Sequence, residues 1–594
     1  MEVTRIFDLL DRYKENFIKD DALVTKRDGG WVKFSTEQYI RNSYLISYGL
    51  LAMGIKEGDK VITVTNNRPE WNFLDMGINM AGNIHVPVFT SLSESEYKHV
   101  LDHSDAKVVF ISDKKLYEKI SPIAASVKNG LDVYTFDVVE GAKSWEEVLA
   151  LGEKEESNFK DTVENIKKKA KPEDCATIIY TSGTTGTSKG VMLSHNSLIR
   201  NFIAATEIFQ LSSGDKFMSI LPLCHVGGRM GNYQNQYSGS SIYYAESMAT
   251  IAVNMREIQP DGFDTVPRIL EKIYDTVISK GKKLSGVKKK IFFWAVKLGL
   301  KYKPPGESSW FYRKKLGLAD KLIFVKWRDA LGGKVRIAGC GGASLQPRLE
   351  RIFWAAGIKI MNMYGLTETS PIITINRQEK PLLKLGTVGA LIDGVEVKIA
   401  EDGEILCKGH NIMMGYYKDP DLTASAIDSE GWFHTGDIGK LEEDRYLCIT
   451  DRKKEIFKLS NGKFVAPQPI ENRLKESLYI DQLMVVGENE KFASAIISLN
   501  ISYINEWFES MGKTAPDQDS IIDQPEVIKA IGDDVKRLNS ELSEPERILR
   551  FKLVSDEWTP ASGELSPTLK LRRKFIAEKY NTLLEQIYPS KTGS

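Results

Sequence analysis

Residues 175–191 read CATIIYTSGTTGTSKGV. An apolar, β-branched run enters a stretch of glycines, hydroxyls and one lysine, and the run has the length and composition of a buried strand. Gly183, Gly186 and Gly190 permit tight turns that expose backbone N–H groups. Successive N–H groups form a concave anion site. Thr181, Ser182, Thr184, Thr185 and Thr187 add donors without charge, and Lys189 adds one positive charge. A strand feeding such a loop is a cradle for a triphosphate. It is not a Walker A loop, because Ser188 stands five residues after Gly183 and Lys189 is followed by Gly190. A flexible linker of the same composition would not be flanked by IIY and VML.

The arrangement recurs along the chain. KVRIAGCGGA from Lys334 and IKIMNMYG from Ile358 are again strands running into polar or glycine-rich loops. Residues 60–170 alternate β-branched runs with helical patterns: KVITVTNN, PEWNFLDMGINMAG, KVVFISD. This alternation predicts an α/β fold of parallel-type sheets with crossover helices. Ligands of open α/β sheets bind at the carboxyl ends of strands, so three such loops point to one nucleotide site assembled from distant segments. From Gly386 to Asp451 the texture changes to short strands and turns, the pattern of a small antiparallel β-subdomain. Asp451–Lys454, DRKK, is short and polar enough for a connector. Beyond it, QLMVVGE, ASAIISLN and charged helices form a unit of their own. The chain of 594 residues exceeds one compact core. The expected division is a large domain at 1–450, a connector at 451–454 and a smaller α+β domain at 455–594.

Composition narrows the partners. Apolar residues make up 42% and charged residues 27%, as in soluble globular proteins. The 80 basic and 80 acidic side chains cancel, which gives no sign of a nucleic-acid partner. Five scattered cysteines without C-x-x-C spacing read as reduced thiols of a cytoplasmic protein. The amphipathic start, MEVTRIFDLLDRYKENF, lacks a signal-peptide core, and no apolar run reaches the roughly 18 residues that cross a bilayer. Membrane contact would have to be peripheral. Its one candidate is 280–315, where twelve Lys or Arg and a single acid, Glu307, are interrupted by IFFWAV and WFYR. A basic helix with aromatics can lie on an anionic membrane surface. The competing reading is a solvated insertion that packs its aromatics on the main domain.

Further polar constellations follow strands. In YGLTETS, Tyr364 can stack on a base, Thr367 can donate to phosphate and Glu368 can bind a hard cation. In GWFHTGDIG, Asp437 can accept both hydroxyls of a ribose, and Arg452, fifteen residues later, would approach the same group. A polar turn or a surface Arg are the bland counterparts. Gly341–Ser344, GGAS, is a glycine-rich β–α turn. His225 stands in LPLCHVGGRM, and VPRILEKIY begins a helix with Pro267 in its first turn. GELSPTLKLRRK, residues 563–574, is a basic cluster.

With these motifs together, from about Asn66 to Lys574, the chain resembles the adenylate-forming superfamily of acyl-CoA synthetases, luciferases and peptide-synthetase adenylation domains. Within it the chain is most similar to bacterial long-chain fatty-acyl-CoA ligases, through VPRILEKIY and APQPIE. The resemblance implies ATP-dependent ligation of a medium- to long-chain fatty acid to coenzyme A through an acyl-AMP. It implies Mg²⁺ held by Glu368 and the Thr184 hydroxyl. It implies an ATP/AMP site of Thr181, Ser182, Gly183, Thr184, Thr185, Gly186, Lys189, Gly342, Ala343, Tyr364, Gly365, Thr367, Asp437, Arg452 and Lys570. His225 would lie beside the substrate carboxylate, and Lys570 would be the catalytic lysine selected from its basic cluster. Lys454, two places after Arg452, would be the hinge about which the C-terminal domain rotates between half-reactions. The chain departs from the long-chain pattern at Gly228, where an acid often precedes the Arg. Two other readings stay open: an acyl-AMP ligase serving a carrier protein, and a catalytically silent nucleotide-binding scaffold on membranes. Acyl chain length, oligomeric state and the coenzyme A contacts, placed only loosely near Ser460–Lys463, are not written in the motifs.

Overall fold

The computed structural model describes residues 2–127, 130–181, 188–379 and 381–589. Two large sheets carry the N-terminal domain. The first has eight strands among the described residues, with Lys60–Val64, Ile84–Val88 and Ala106–Ile111 in parallel at its centre and Cys175–Thr181 beside Ile84–Val88. These strands are near-continuous β-branched runs because helices cover both faces. The second has thirteen strands among the described residues, and its middle, Lys216–Ser219, Gly262–Thr265, Ile337–Cys340 and Lys359–Gly365, is parallel.

Helices fill the space between the sheets. Pro69–Met80 is buried along its whole length, with Pro69 in its first turn. A helix buried on every side needs partners for its polar groups. Asn72 meets Tyr244 of the thirteen-stranded sheet, and Asp75 meets His85 of the eight-stranded one. The helix Val226–Ser238 is tied in at the same place: the fully buried Arg229 donates to Asp75 Oδ1 and to Thr177. Arg229 therefore serves the seam between the sheets. Gly228 explains itself in the same region. A Cβ there would lie 2.4 Å from the carbonyl oxygen of Pro222, so this turn has no room for the acid found in the long-chain pattern.

The stretch from Gly386 to Asp451 is antiparallel, as its texture indicates, but it is not detached from the rest. It continues the thirteen-stranded sheet through Ile372–Ile375, which pairs antiparallel with Lys359–Gly365, and it sends Gly415–Tyr416 to the edge of the other sheet. The alternation of single strands was legible, but their partners were not. The basic segment is also more than one helix: it spans the end of Pro267–Lys282, all of Gly286–Gly299 and the start of Trp310–Ala319. Phe292 packs inward, whereas Trp294, Trp310 and Phe311 stay exposed, so inward packing accounts for only part of its aromatics.

Among the described residues the C-terminal domain has a three-stranded sheet, Ile480–Val486, Ser494–Leu499 and Arg550–Val554, backed by helices, and a two-stranded one, Phe457–Lys458 and Phe464–Val465. Its cores draw only on residues from Phe457 onward, the mark of a unit with its own packing. Of the four residues 451–454, Asp451 is buried and Arg452 ends the strand Tyr446–Arg452. Across the domain boundary, Arg268 binds the carboxylate and the carbonyl of Asp481, Lys475 lies 3.5 Å from Glu271, and Asn472 donates to Ser344 at 2.9 Å. No helix among the described residues is long and apolar enough to cross a membrane.

Candidate active site

A cavity of about 2030 Å³ lies where the two sheets and the C-terminal domain meet. The strands that enter it come from both sheets. Thr181 and Ser188 border it from the eight-stranded sheet; Gly342 and the segment Tyr364–Glu368 border it from the thirteen-stranded one. Ser182, Gly183, Thr184, Thr185 and Gly186 lie outside the described residues.

One corner is built by register. Phe433–Glu442 and Tyr446–Arg452 form an antiparallel ladder in which Asp437 and Arg452 stand directly opposite. Cross-strand partners at that spacing meet side chain to side chain, and Arg452 Nε lies 3.3 Å from Asp437 Oδ1. Tyr364 donates to Asp437 Oδ2 at 2.7 Å. Burial raises the Asp437 carboxyl above its ordinary range, against the pull of Arg452, Tyr364 and Lys570. Gly365, next to Tyr364, cannot be another residue: a Cβ would fall 1.7 Å from the Pro371 carbonyl oxygen.

A second corner centres on Glu368. Tyr416 donates to Glu368 Oε1 at 2.9 Å, and Lys189 Nζ sits 4.7 Å from the centroid of the Tyr416 ring. Tyr416 was not foreseen. MGYYKDP reads as a turn, and nothing in it signals a partner 48 positions earlier. The Glu368 carboxylate borders the cavity and supplies the hard oxygen that Mg²⁺ accepts while keeping waters and phosphate oxygens. The donor type fits that ion.

His225 caps the helix Val226–Ser238, its Nδ1 accepting from the Gly227 N–H at 3.1 Å. Burial and the neighbouring Lys570 push the imidazole down to about 4. It is therefore neutral at pH 7, and because Nδ1 accepts, the proton sits on Nε2. His225 borders the cavity with that donor available for a carboxylate. Beyond it the cavity turns apolar, with Phe217, Ile220, Met230 and Met363 on its walls.

Lys570 arrives from the C-terminal domain. Its carbonyl accepts from Ser566 N at 2.8 Å and its N–H donates to the Ser566 hydroxyl at 3.1 Å. Leu569 takes φ +61° to close this loop, a left-handed conformation that costs a side-chain-bearing residue about 1–2 kcal/mol. The loop is anchored by Arg573, which pairs with Glu471 at 2.7 Å and Glu455 at 2.9 Å. Lys570 is exposed to solvent within the cavity that its loop helps to line. Desolvation by the surrounding walls and the neighbouring Arg452 push its ammonium down to about 8, with Asp437, Glu368 and Glu455 opposing. Lys574, the other candidate in the cluster, is 92% exposed and lies 4.0 Å from Glu578. The structure thus gathers His225, Glu368, Tyr364, Gly365, Thr367, Arg452, Lys454 and Lys570 around one cavity. Asp437 stands just behind Tyr364 and Arg452, and Lys189 behind Tyr416. Ala343 is exposed outside the cavity lining.

The chain as a whole is similar to known proteins. The family model of the AMP-binding enzyme matches residues 10–417, and that of the AMP-binding enzyme C-terminal domain matches 454–592. The chain belongs to the AMP-binding enzyme family, within the adenylate-forming superfamily. It is 31% identical to the long-chain-fatty-acid–CoA ligase FadD15 of Mycobacterium bovis, over 94% of this chain and 93% of that protein. It is 29% identical to the long-chain-fatty-acid–CoA ligase ACSBG2 of Xenopus laevis, over 96% of this chain and 81% of that one. In fold it is similar to the adenylation domain of a carboxylate reductase from Mycobacterium chelonae, at a TM-score of 0.73 and 22% identity, covering 98% of this chain and 91% of that one. ATP-bound MatB from Rhodopseudomonas palustris is similar at 0.70 and 21%, with 98% and 100% covered.

Proposed function

We propose that this protein is an ATP-dependent fatty-acid–CoA ligase acting on medium- to long-chain acids. The observation that carries the reading is the position of Lys570: a lysine of the C-terminal domain lines the same cavity as Glu368, His225 and Arg452, with Asp437 paired to Arg452 just behind the wall. Ligase relatives aligned over nearly the whole chain support it.

In the first half-reaction a carboxylate oxygen attacks the α-phosphorus of ATP, the bond to pyrophosphate breaks, and an acyl-AMP anhydride forms. Two like charges about 4 Å apart repel by several kcal/mol at a protein-like dielectric. His225 donates from Nε2 to the incoming carboxylate, Lys570 takes up charge on the α-phosphate, and the Asp437–Arg452 pair fixes the ribose. Glu368, with Thr184, would hold Mg²⁺, which supplies neutralisation of the pyrophosphate charge when bound. In the second half-reaction the coenzyme A thiol attacks the acyl carbonyl, loses its proton, and AMP leaves. Lys570 has no task there, and the C-terminal domain (455–594) swings about Lys454 to admit the thiol. We also propose that the protein works in the cytoplasm, which its five free cysteines support, and that it touches membranes peripherally through 280–315.

The test is a panel of acids with ATP and coenzyme A, scored by pyrophosphate release and thioester formation. Turnover should rise with chain length as methylenes enter the apolar arm at about 0.8 kcal/mol each. A best substrate of acetate or an aryl acid, or an adenylate that free coenzyme A cannot consume, would overturn the reading.

A further inference from the structure

The basic segment forms a surface with its own chemistry. Sixteen large apolar side chains are exposed among the described residues, and six of them fall within 287–322: Val287, Trp294, Trp310, Phe311, Leu318 and Leu322. Trp310 is 57% and Phe311 72% exposed. Scattered exposed apolar residues are normal, but a concentration of them is not.

The two helices that display all of these but Leu322 are firmly mounted from behind. Phe292, Ala295 and Val296 of Gly286–Gly299 are buried, as is Ala319 of Trp310–Ala319. Tyr312 ties the pair together by donating to the Leu298 carbonyl at 3.0 Å, and Arg351 donates to the Tyr302 carbonyl at 2.7 Å to hold the connection. The inward positions Tyr312, Leu316 and Ala319 follow the helical period, so Trp310, Phe311, Lys314 and Leu318 are left to face out. The exposed aromatics are therefore presented by a fixed scaffold.

Charge surrounds them. The lysine run 288–290, Lys297, Arg313 and Lys315 are all exposed, and Lys314 Nζ lies 5.4 Å from the Trp310 ring centroid. Between Gly286 and Ala319 the sole acid is Glu307. Indole rings with lysines beside them match the headgroup level of a bilayer, where the ring meets the acyl boundary and the ammonium meets lipid phosphate.

We propose that the outer face of Gly286–Gly299 and Trp310–Ala319 docks on an anionic lipid bilayer, with Trp310 and Phe311 entering the interface and the lysines meeting lipid phosphates. Its place in the fold suits a lipid supply. The helix Pro267–Lys282 begins at the cavity, which Val266 and its own first-turn Ile269 line, and its far end leads to this surface. Its 16 residues span about 24 Å. Docking here holds the apolar arm one helix length from a membrane that carries dissolved fatty acid. The inference specifies the peripheral contact proposed above, and vesicle binding can fail while ligation of a soluble acid stands.

The experiment uses the full chain and vesicles of phosphatidylcholine with or without phosphatidylglycerol, read by co-sedimentation over a salt series. Binding should need phosphatidylglycerol and weaken as salt rises. Lys314→Ala with Lys315→Ala should weaken it by about tenfold or more, near fivefold for each charge. Trp310→Ser with Phe311→Ser should remove the binding that survives high salt, again about tenfold or more. All four positions are exposed, and turnover of a dissolved medium-chain acid should be unchanged in both variants. Absence of binding at every salt, binding equal in the variants, or binding to duplex DNA in place of vesicles would each overturn the proposal. So would self-association that the Trp310/Phe311 variant abolishes without any vesicle binding, because the face would then be covered by a second copy.

Discussion

At the scale of single residues, the site is a set of charges whose protonation the fold adjusts. Desolvation in the cavity and the neighbouring Arg452 push the Lys570 ammonium down to about 8. A lowered lysine is charged below that value and loses its proton as pH rises through it. If the ammonium serves the first half-reaction alone, kcat/KM for adenylation should fall above about pH 8 in a way that thioester formation from supplied acyl-AMP does not. Lys570→Arg, which cannot lose its proton, should move that limb upward. The proposed role of Glu368 is to hold the metal. Glu368→Gln should bind ATP yet lose pyrophosphate exchange by at least about a hundredfold, the upper end of what losing an outer partner of a metal ligand costs. Near-normal exchange would remove Glu368 from the metal. Glu368, Asp437 and Arg452 could be singled out because each stands in a polar motif close after an apolar run, whereas Lys570 stands in a basic cluster from which only the resemblance selects it. Tyr416 could not be singled out: it reaches Glu368 through a two-residue edge strand that leaves no periodic trace.

Among elements, the decisive object is the seam between the sheets. Asp75 accepts from Arg229, from Tyr233 at 2.5 Å and from His85 at 2.7 Å, all of them fully buried. Burial pushes the Asp75 carboxyl up, but Arg229 and its other partners hold it below the usual range. The network joins the helix that His225 caps to the strand that enters the phosphate loop, through Thr177. Removing one partner of a buried pair strands the other charge, so Arg229→Met should lower stability by about 3–5 kcal/mol in denaturant unfolding. A change under about 1 kcal/mol would mean that the seam is held by packing alone. The sequence reading of this level was good where strands are fully buried and parallel, since KVITV and ATIIY name themselves. It failed on partnership: nothing in 386–451 showed that its strands extend a sheet begun more than a hundred residues earlier, because alternation sets a strand's faces and says nothing of its neighbour.

For the whole molecule, the question is what the C-terminal domain does between the two half-reactions. Its placement here joins Lys570 to the cavity and is supported by the contacts of Arg268 with Asp481 and of Lys475 with Glu271. The cross-domain faces were invisible in sequence, since ordinary surface charges became specific only once two cores met. A swing about Lys454 must break these contacts. Fixing φ at that position with Lys454→Pro should spare pyrophosphate exchange and impair thioester formation; equal loss of both would remove the hinge from Lys454. The most direct test of the account is the Lys570→Ala variant, with each half-reaction measured alone. Acyl-adenylate formation from ATP and acid should fall by about 10²–10³, the cost of losing one contact to a developing oxyanion. Thioester formation from supplied acyl-AMP and coenzyme A should stay close to that of the parent protein. Equal loss of both steps, or an undiminished first step, would contradict the role given to Lys570 and the domain movement built on it.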